Sequence, residues 1–283
     1  MNSTVRIGLL QRKSEPKPKD NLEKALVGIQ EAAGQGAQII CLQELFLSPY
    51  FCQTNNKEFF SLAHSIPDEA AQALSEAAKR LGVVVIGSFY EKDQDRYFNT
   101  AAVWDADGSF LGKYRKVHIP DDLPNYYSEK FYFASGDLGY PVFITRFGTI
   151  GVQVCWDQWF PEGARSLALQ GAQMIFYPTA IGWPAKGKTE QGRVEHEAWL
   201  TIQRGHAIAN TVFVAAANRT GVEDHLNFWG TSFVADPFGV VLKQASSDQE
   251  ETLVVPCDLA RIEDVRRDWP FLSCRQSGAY QLK

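Results

Sequence analysis

The chain has 283 residues, 45% of them hydrophobic, with 28 Lys and Arg against 33 Asp and Glu for a formal charge of −5. That is enough apolar material for one large buried core, and the net acidity, with no basic block, argues against nucleic acid as a partner. No apolar run approaches a membrane span, residues 1–13 lack a long apolar core, and the five cysteines form no Cys-x-x-Cys pair, so a cytoplasmic chain of free thiols is expected.

Arg6-Ile7-Gly8-Leu9-Leu10 reads as a first strand. A helix follows from about Asp20 to Ala33, with Leu22, Ala25, Leu26 and Ile29 at helical spacing and Gly34 and Gly36 ending it. The strand Ala37 to Leu42 runs into Gln43 and Glu44. Ser65 is the expected N-cap of a second helix, with Pro67 in its first turn, Leu74, Ala77, Ala78 and Leu81 on one face and Gly82 as terminator. Val83 to Ile86 is an apolar strand, and the span Thr100 to Leu111 is a hairpin whose return strand, Leu111 to Arg115, delivers Lys116. Ile150 to Val154 is a strand that ends at Cys155, before a helix from Pro161 to about Gln170. A further helix, about Glu195 to Asn210, precedes the strand Val212 to Ala217. The tail, 258–283, holds a short helical stretch and then Trp269-Pro270-Phe271-Leu272, which on a lone subunit would be exposed unless folded back or covered by a partner.

The chain repeats itself. Ile7 matches Ile150, Gly36 matches Gly171, Val83 matches Val212 and Thr100 matches Thr231, at offsets of 143, 135, 129 and 131 residues. Each half reads strand, helix, strand, helix, strand, hairpin. Strands apolar on both faces need helices on one side and a second sheet on the other, so the expected fold is α/β, a four-layer α-β-β-α sandwich with pseudo-twofold symmetry. No linker rich in Pro, Gly or Ser divides it, and a single domain over 1–283 is expected.

In such folds the carboxyl ends of the central strands form the crevice. Glu44, Lys116 and Cys155 all fall at strand ends, which supplies a carboxylate, an amine and a thiol to one place. The carboxylate would take the thiol proton and the thiolate would attack a carbonyl carbon. The ammonium of Lys116 and the backbone N–H of Trp156 would stabilise the oxyanion. Cys41, Cys52, Cys257 and Cys274 lack such company and read as packing or incidental thiols.

Leu42-Gln43-Glu44-Leu45-Phe46, Tyr114-Arg115-Lys116-Val117-His118 and Gly151-Val152-Gln153-Val154-Cys155-Trp156-Asp157 together resemble the nitrilase superfamily of carbon-nitrogen hydrolases over nearly the whole chain. The resemblance implies a Glu-Lys-Cys site that forms a thioester intermediate, releases ammonia first and then the acid. It also implies paired subunits, hence a homo-oligomer. Many members carry a second glutamate that positions substrate or lysine, and Glu129 in Ser128-Glu129-Lys130-Phe131 matches it.

His118-Ile119-Pro120-Asp121-Asp122, Glu129-Lys130-Phe131-Tyr132-Phe133 and Cys155-Trp156-Asp157-Gln158-Trp159-Phe160-Pro161-Glu162 further resemble the branch of N-carbamoylputrescine amidases. That branch implies cleavage of a carbamoyl-amine to putrescine, carbon dioxide and ammonia; another small amide, nitrile or carbamoyl compound, or a non-catalytic nitrilase-like binding protein, is the alternative. Relatives that hold a substrate carboxylate commonly place arginine close after the cysteine. Here Gln158 and Trp159 stand there, and an aromatic face suits a cationic substrate through cation-π attraction. Trp159 equally suits a packing role. Glu190, Glu195, Asp122 and Asp157 are the candidate partners for a distal ammonium. Glu195-His196-Glu197 lacks the second histidine of a His-Glu-x-x-His zinc motif, His196 reads as a helix-surface and His206 as a core histidine, and no glycine-rich phosphate loop occurs, so neither a metal nor another cofactor is expected.

Overall fold

The internal repeat becomes two six-stranded sheets packed face to face. The structure is a computed structural model that describes residues 3–185 and 190–280. The first half runs β1 (Thr4–Gln11), α1 (Pro18–Gly34), β2 (Ile39–Cys41), α2 (Glu69–Leu81), β3 (Val84–Asp93), β4 (Arg96–Trp104) and β5 (Phe110–Arg115). The second runs β6 (Val142–Thr145), β7 (Gly148–Val152), α3 (Pro161–Leu169), β8 (Met174–Thr179), β9 (Gly182–Pro184), α4 (Glu190–Asn210), β10 (Phe213–Asn218), β11 (Thr220–Glu223), β12 (Leu226–Trp229), β13 (Phe233–Ala235) and β14 (Val241–Gln244). β15 (Glu251–Asp258) and α5 (Ala260–Asp268) follow, and a 3-10 turn, Ser277–Ala279, lies near the end of the described residues.

One sheet has the order β15-β1-β2-β3-β4-β5 and the other β14-β13-β10-β8-β7-β6. In each, three parallel strands (β1, β2, β3 and β7, β8, β10) are extended by an antiparallel hairpin on one side and a single antiparallel strand on the other. The four sequence matches therefore fall on equivalent strands, and the expected sandwich is the observed one.

Side-chain alternation builds the layers. Ile39 and Cys41 face the inter-sheet core with Met174 and Phe176 from the other sheet. Ile40 and Leu42 face outward beneath α1 and α2, and Ile175 and Tyr177 beneath α3 and α4. A short third sheet, β11-β12-β9, projects from the second half.

Three helix starts differ from expectation. α1 begins at Pro18, because proline at the first helical turn has no N–H to leave unsatisfied. α2 is capped by Asp68 rather than Ser65: its extended backbone lets the carboxylate accept Ala71 N–H at 2.8 Å, and its charge also favours the helix N-terminus. α4 is a turn or more longer than expected, starting at Glu190. In the tail, Ile262 and Val265 of α5 are buried, whereas Trp269 is 56% and Phe271 38% exposed.

Candidate active site

β7 stops at Val152, and the chain turns so that Cys155, with φ of 42°, opens a short 3-10 turn, Cys155–Trp159. A left-handed backbone at a non-glycine residue costs roughly 1–3 kcal/mol and persists only where neighbours enforce it. Asp157 is that enforcer. Its Oδ2 accepts Val154 N–H at 3.0 Å and Tyr114 O–H at 2.8 Å, while Oδ1 accepts His118 N–H at 2.9 Å and lies 2.8 Å from His118 Nδ1. The His118 ring in turn stacks on Phe160 at 3.6 Å. Tyr114 and His118 flank Lys116, so one buried carboxylate ties the cysteine turn to the lysine segment. Asp157 is thereby removed from the candidates for a distal ammonium: it is buried and already saturated.

Lys116, Glu44 and Glu129 are fully buried together. Lys116 Nζ donates to Glu44 Oε1 at 2.9 Å and to Glu129 Oε2 at 2.6 Å. Asn99 Nδ2 donates to the same Glu44 oxygen at 2.7 Å, and Tyr50 O–H to Glu129 Oε1 at 2.7 Å. Glu44 Oε2 is buried with no protein partner. Burial by itself would lower the Lys116 pKa, but the charges of Glu129 and Glu44 outweigh it and hold the ammonium well above its usual value. Burial pushes Glu129 up to about 7, helped by Glu44 and opposed by Lys116. Burial also pushes the Cys155 thiol well up; Glu44 adds to this and Lys116 opposes it, so thiol, carboxylates and ammonium share one electrostatic environment. Cys155 Sγ lies 3.8 Å from the Ala180 carbonyl oxygen.

A cavity of about 290 Å³ opens on Cys155 and Glu129. Trp156, Trp159, Trp229 and Tyr127 supply aromatic wall, and Asp122, Asn125 and Glu195 supply polar groups. Trp156 and Trp159 are three residues apart in the 3-10 turn, which brings both to the cavity, their rings 6.3 Å apart. The described lining holds the carboxylates of Asp122, Glu129 and Glu195 and no lysine or arginine. Glu190 is not in that lining; it sits exposed at the start of α4, paired with Arg193. Gln158 is also directed elsewhere, its side chain buried near Thr179 and its carbonyl facing His206 Nε2 at 2.8 Å. His196 is half-buried on its helix and packs among Trp183, Trp199 and Trp229, with Nε2 2.9 Å from Thr231 Oγ1. His206 is buried. Among the described residues no group of His, Cys, Asp and Glu has the arrangement of a metal site.

The family model for Carbon-nitrogen hydrolase matches residues 6–267. The chain belongs to the carbon-nitrogen hydrolase family. It is 43% identical over 263 residues to N-carbamoylputrescine amidase of Arabidopsis thaliana, covering 90% of this chain and 86% of that protein. It is 35% identical to citrullinase of Francisella tularensis, over 98% of this chain and 97% of that one. The crystal structure of a carbon-nitrogen hydrolase from Helicobacter pylori G27 matches with a TM-score of 0.93 at 41% identity, covering 98% and 97% of the two chains.

This carbon-nitrogen hydrolase acts on carbon-nitrogen bonds other than peptide bonds. Glu44 Oε2 is an unoccupied acceptor for a proton, the thiol is a nucleophile once that proton is gone, and Lys116 is a cation fixed by two carboxylates. Sequence reasoning missed Tyr50, Asn99 and Arg219, each fully or almost fully buried around these groups. A buried Arg219 has no sequence signal beyond its place just after a strand of small apolar residues, Val214-Ala215-Ala216-Ala217.

Proposed function

We propose that this carbon-nitrogen hydrolase cleaves N-carbamoylputrescine to putrescine, carbon dioxide and ammonia, a step in polyamine formation. The observation that carries the substrate is the cavity: carboxylates of Asp122 and Glu195 with aromatic walls, and no described basic residue, on the same space as Cys155. A diamine derivative brings an ammonium to those acids and rings. The 43% identity to the Arabidopsis N-carbamoylputrescine amidase supports the same reading.

In this mechanism Glu44 takes the Cys155 proton and the thiolate attacks the carbamoyl carbon. Lys116 and the Trp156 N–H hold the developing oxyanion. As the tetrahedral intermediate collapses, the C–NH₂ bond breaks, the Glu44 proton passes to nitrogen and ammonia leaves, with the remaining R–NH–CO group on sulfur. Glu44 then takes a proton from water, whose oxygen attacks the same carbon. The C–S bond breaks, the thiol regains its proton, and the released carbamic acid falls to putrescine and carbon dioxide.

The reading includes a homo-oligomer in a reducing cytoplasm; exposed Trp269 and Phe271 and five free cysteines support it. The test is ammonia release from a panel of carbamoyl compounds. N-carbamoylputrescine is expected to be preferred, and equal or better turnover of citrulline or N-carbamoyl amino acids would overturn the cationic-substrate argument.

A further inference from the structure

One ion pair that touches neither the thiol nor the cavity links the backbone of Glu44 to the carboxylate of Glu129. Arg219 follows β10 and is fully buried. Its Nη2 donates to the Glu44 carbonyl oxygen at 2.7 Å and to that of Leu45 at 3.2 Å. Its Nη1 donates to both oxygens of Glu223 at 2.9 Å and to the Ser48 carbonyl oxygen at 3.3 Å. Glu223 Oε2 accepts Tyr50 N–H at 2.6 Å, and Tyr50 O–H donates to Glu129. A continuous chain of bonds therefore runs from the backbone of Glu44, through Arg219, Glu223 and Tyr50, to the carboxylate of Glu129.

The footing of this chain is informative. Arg219 and Glu223 bracket β11, whose sheet partners β12 and β9 carry Leu226, Trp229, Gly182 and Pro184 of the cavity wall. Leu45, beside Glu44, has φ of 48°, a conformation that needs external support, and Arg219 grips carbonyls on both sides of that peptide. A loop brace alone would not need to reach Glu129.

Resting on the Glu44-Lys116-Cys155 reading above, we propose that the Arg219–Glu223 pair is a positioning clamp. It fixes the separation of Glu44 and Glu129 about Lys116, with the cavity-wall sheet as its base, and so keeps Glu44 Oε2 free for the thiol proton.

Because Arg219 is wholly buried and its removal endangers folding, the test uses Glu223→Gln, Tyr50→Phe and the double variant. Their kcat and KM on N-carbamoylputrescine are measured beside the rate at which iodoacetamide alkylates Cys155 across pH, resolved by peptide mass. With urea midpoints showing folded protein, each single variant should lose about tenfold in kcat, KM changing by less than about threefold, with Cys155 alkylation slowed to match. The double variant should be no worse than the poorer single one, because both cuts sever the same chain. Folded Glu223→Gln with the parent's kcat and alkylation profile, or single effects that multiply in the double variant, overturns the clamp. Alkylation needs no substrate: failure of the parent to hydrolyse N-carbamoylputrescine sinks the substrate reading while the clamp is still decided by the alkylation rates. A Glu44→Gln control that alkylates as fast as the parent removes the base assignment on which the clamp rests.

Discussion

Replacing Glu129 by Gln should stabilise the protein at neutral pH while impairing its chemistry. Burial pushes this carboxyl up to about 7 from an ordinary 4.5, so the proton is lost from the unfolded chain first. Between pH 4.5 and about 7 the folded chain holds a proton that the unfolded chain has released, and stability therefore falls as pH rises through that window. The full difference is on the order of 3 kcal/mol above the window and vanishes below it. Glutamine imitates the protonated form and keeps both contacts: its carbonyl oxygen accepts from Lys116, and its NH₂ donates to a Tyr50 hydroxyl that has turned round.

The assay is urea unfolding of the parent and Glu129→Gln between pH 4.5 and 8.5 at one protein concentration. Only the difference between the two curves is read, because the titrations of groups remote from Glu129 cancel. The curves should meet near pH 4.5 and separate as pH rises, with the glutamine variant the more stable by on the order of 3 kcal/mol at pH 8. Its kcat should nevertheless fall, since Lys116 loses one of its two charged partners. Parallel stability curves, or a variant weaker than the parent at pH 8, would refute the claim that ionised Glu129 is held at a cost.

Cys155→Ala should end ammonia release with the circular dichroism spectrum unchanged, and Glu44→Gln should lower kcat by about 10²- to 10⁴-fold, the usual contribution of a general base. Asp157→Ala strands the donors of Val154, Tyr114 and His118 in a buried place, so urea unfolding should show a loss of about 3 kcal/mol or more; Asp157→Asn, which keeps one acceptor oxygen, should lose less. Asp122→Asn and Glu195→Gln should each raise KM for N-carbamoylputrescine by about threefold to tenfold with kcat little changed, and added salt should shrink the effect because both groups reach solvent. An unchanged KM in both would separate these acids from substrate binding.

The fold was legible because the repeat is written in apolar strand segments whose positions drift little between halves, and such segments have one way to pair. Glu44, Lys116 and Cys155 were legible for a related reason: each ends a run whose strand character is plain. What surrounds them was not. A carboxylate two residues beyond a thiol reads equally as substrate partner or as turn anchor, and only the donors of Tyr114 and His118, some 40 positions earlier, decide that Asp157 is the anchor. Glu190 and Glu195 look alike in sequence, yet a five-residue step along α4 leaves one in solvent and brings the other to the cavity. Arg219 and Glu223 carry no sequence sign of burial, which depends on Ser14, Glu44, Leu45 and Ser48 in loops from the other half of the chain.

The charge arrangement explains why a deeply buried thiol suits this reaction. Cys41 is buried too, and burial alone pushes its pKa up, with its Sγ against the Leu42 carbonyl; ionising it would place an uncompensated anion in apolar surroundings. Cys155 faces the same penalty, but Lys116 opposes it and Glu44 offers an empty oxygen. Passing the proton from sulfur to Glu44 leaves the total charge of the pocket unchanged. No anion has to be created against burial; it only moves from carboxylate to sulfur, beside the same lysine. In the proposed mechanism the raised thiol pKa keeps Cys155 protonated at rest, and Glu44 as internal acceptor makes the thiolate available to a carbonyl seated in the cavity.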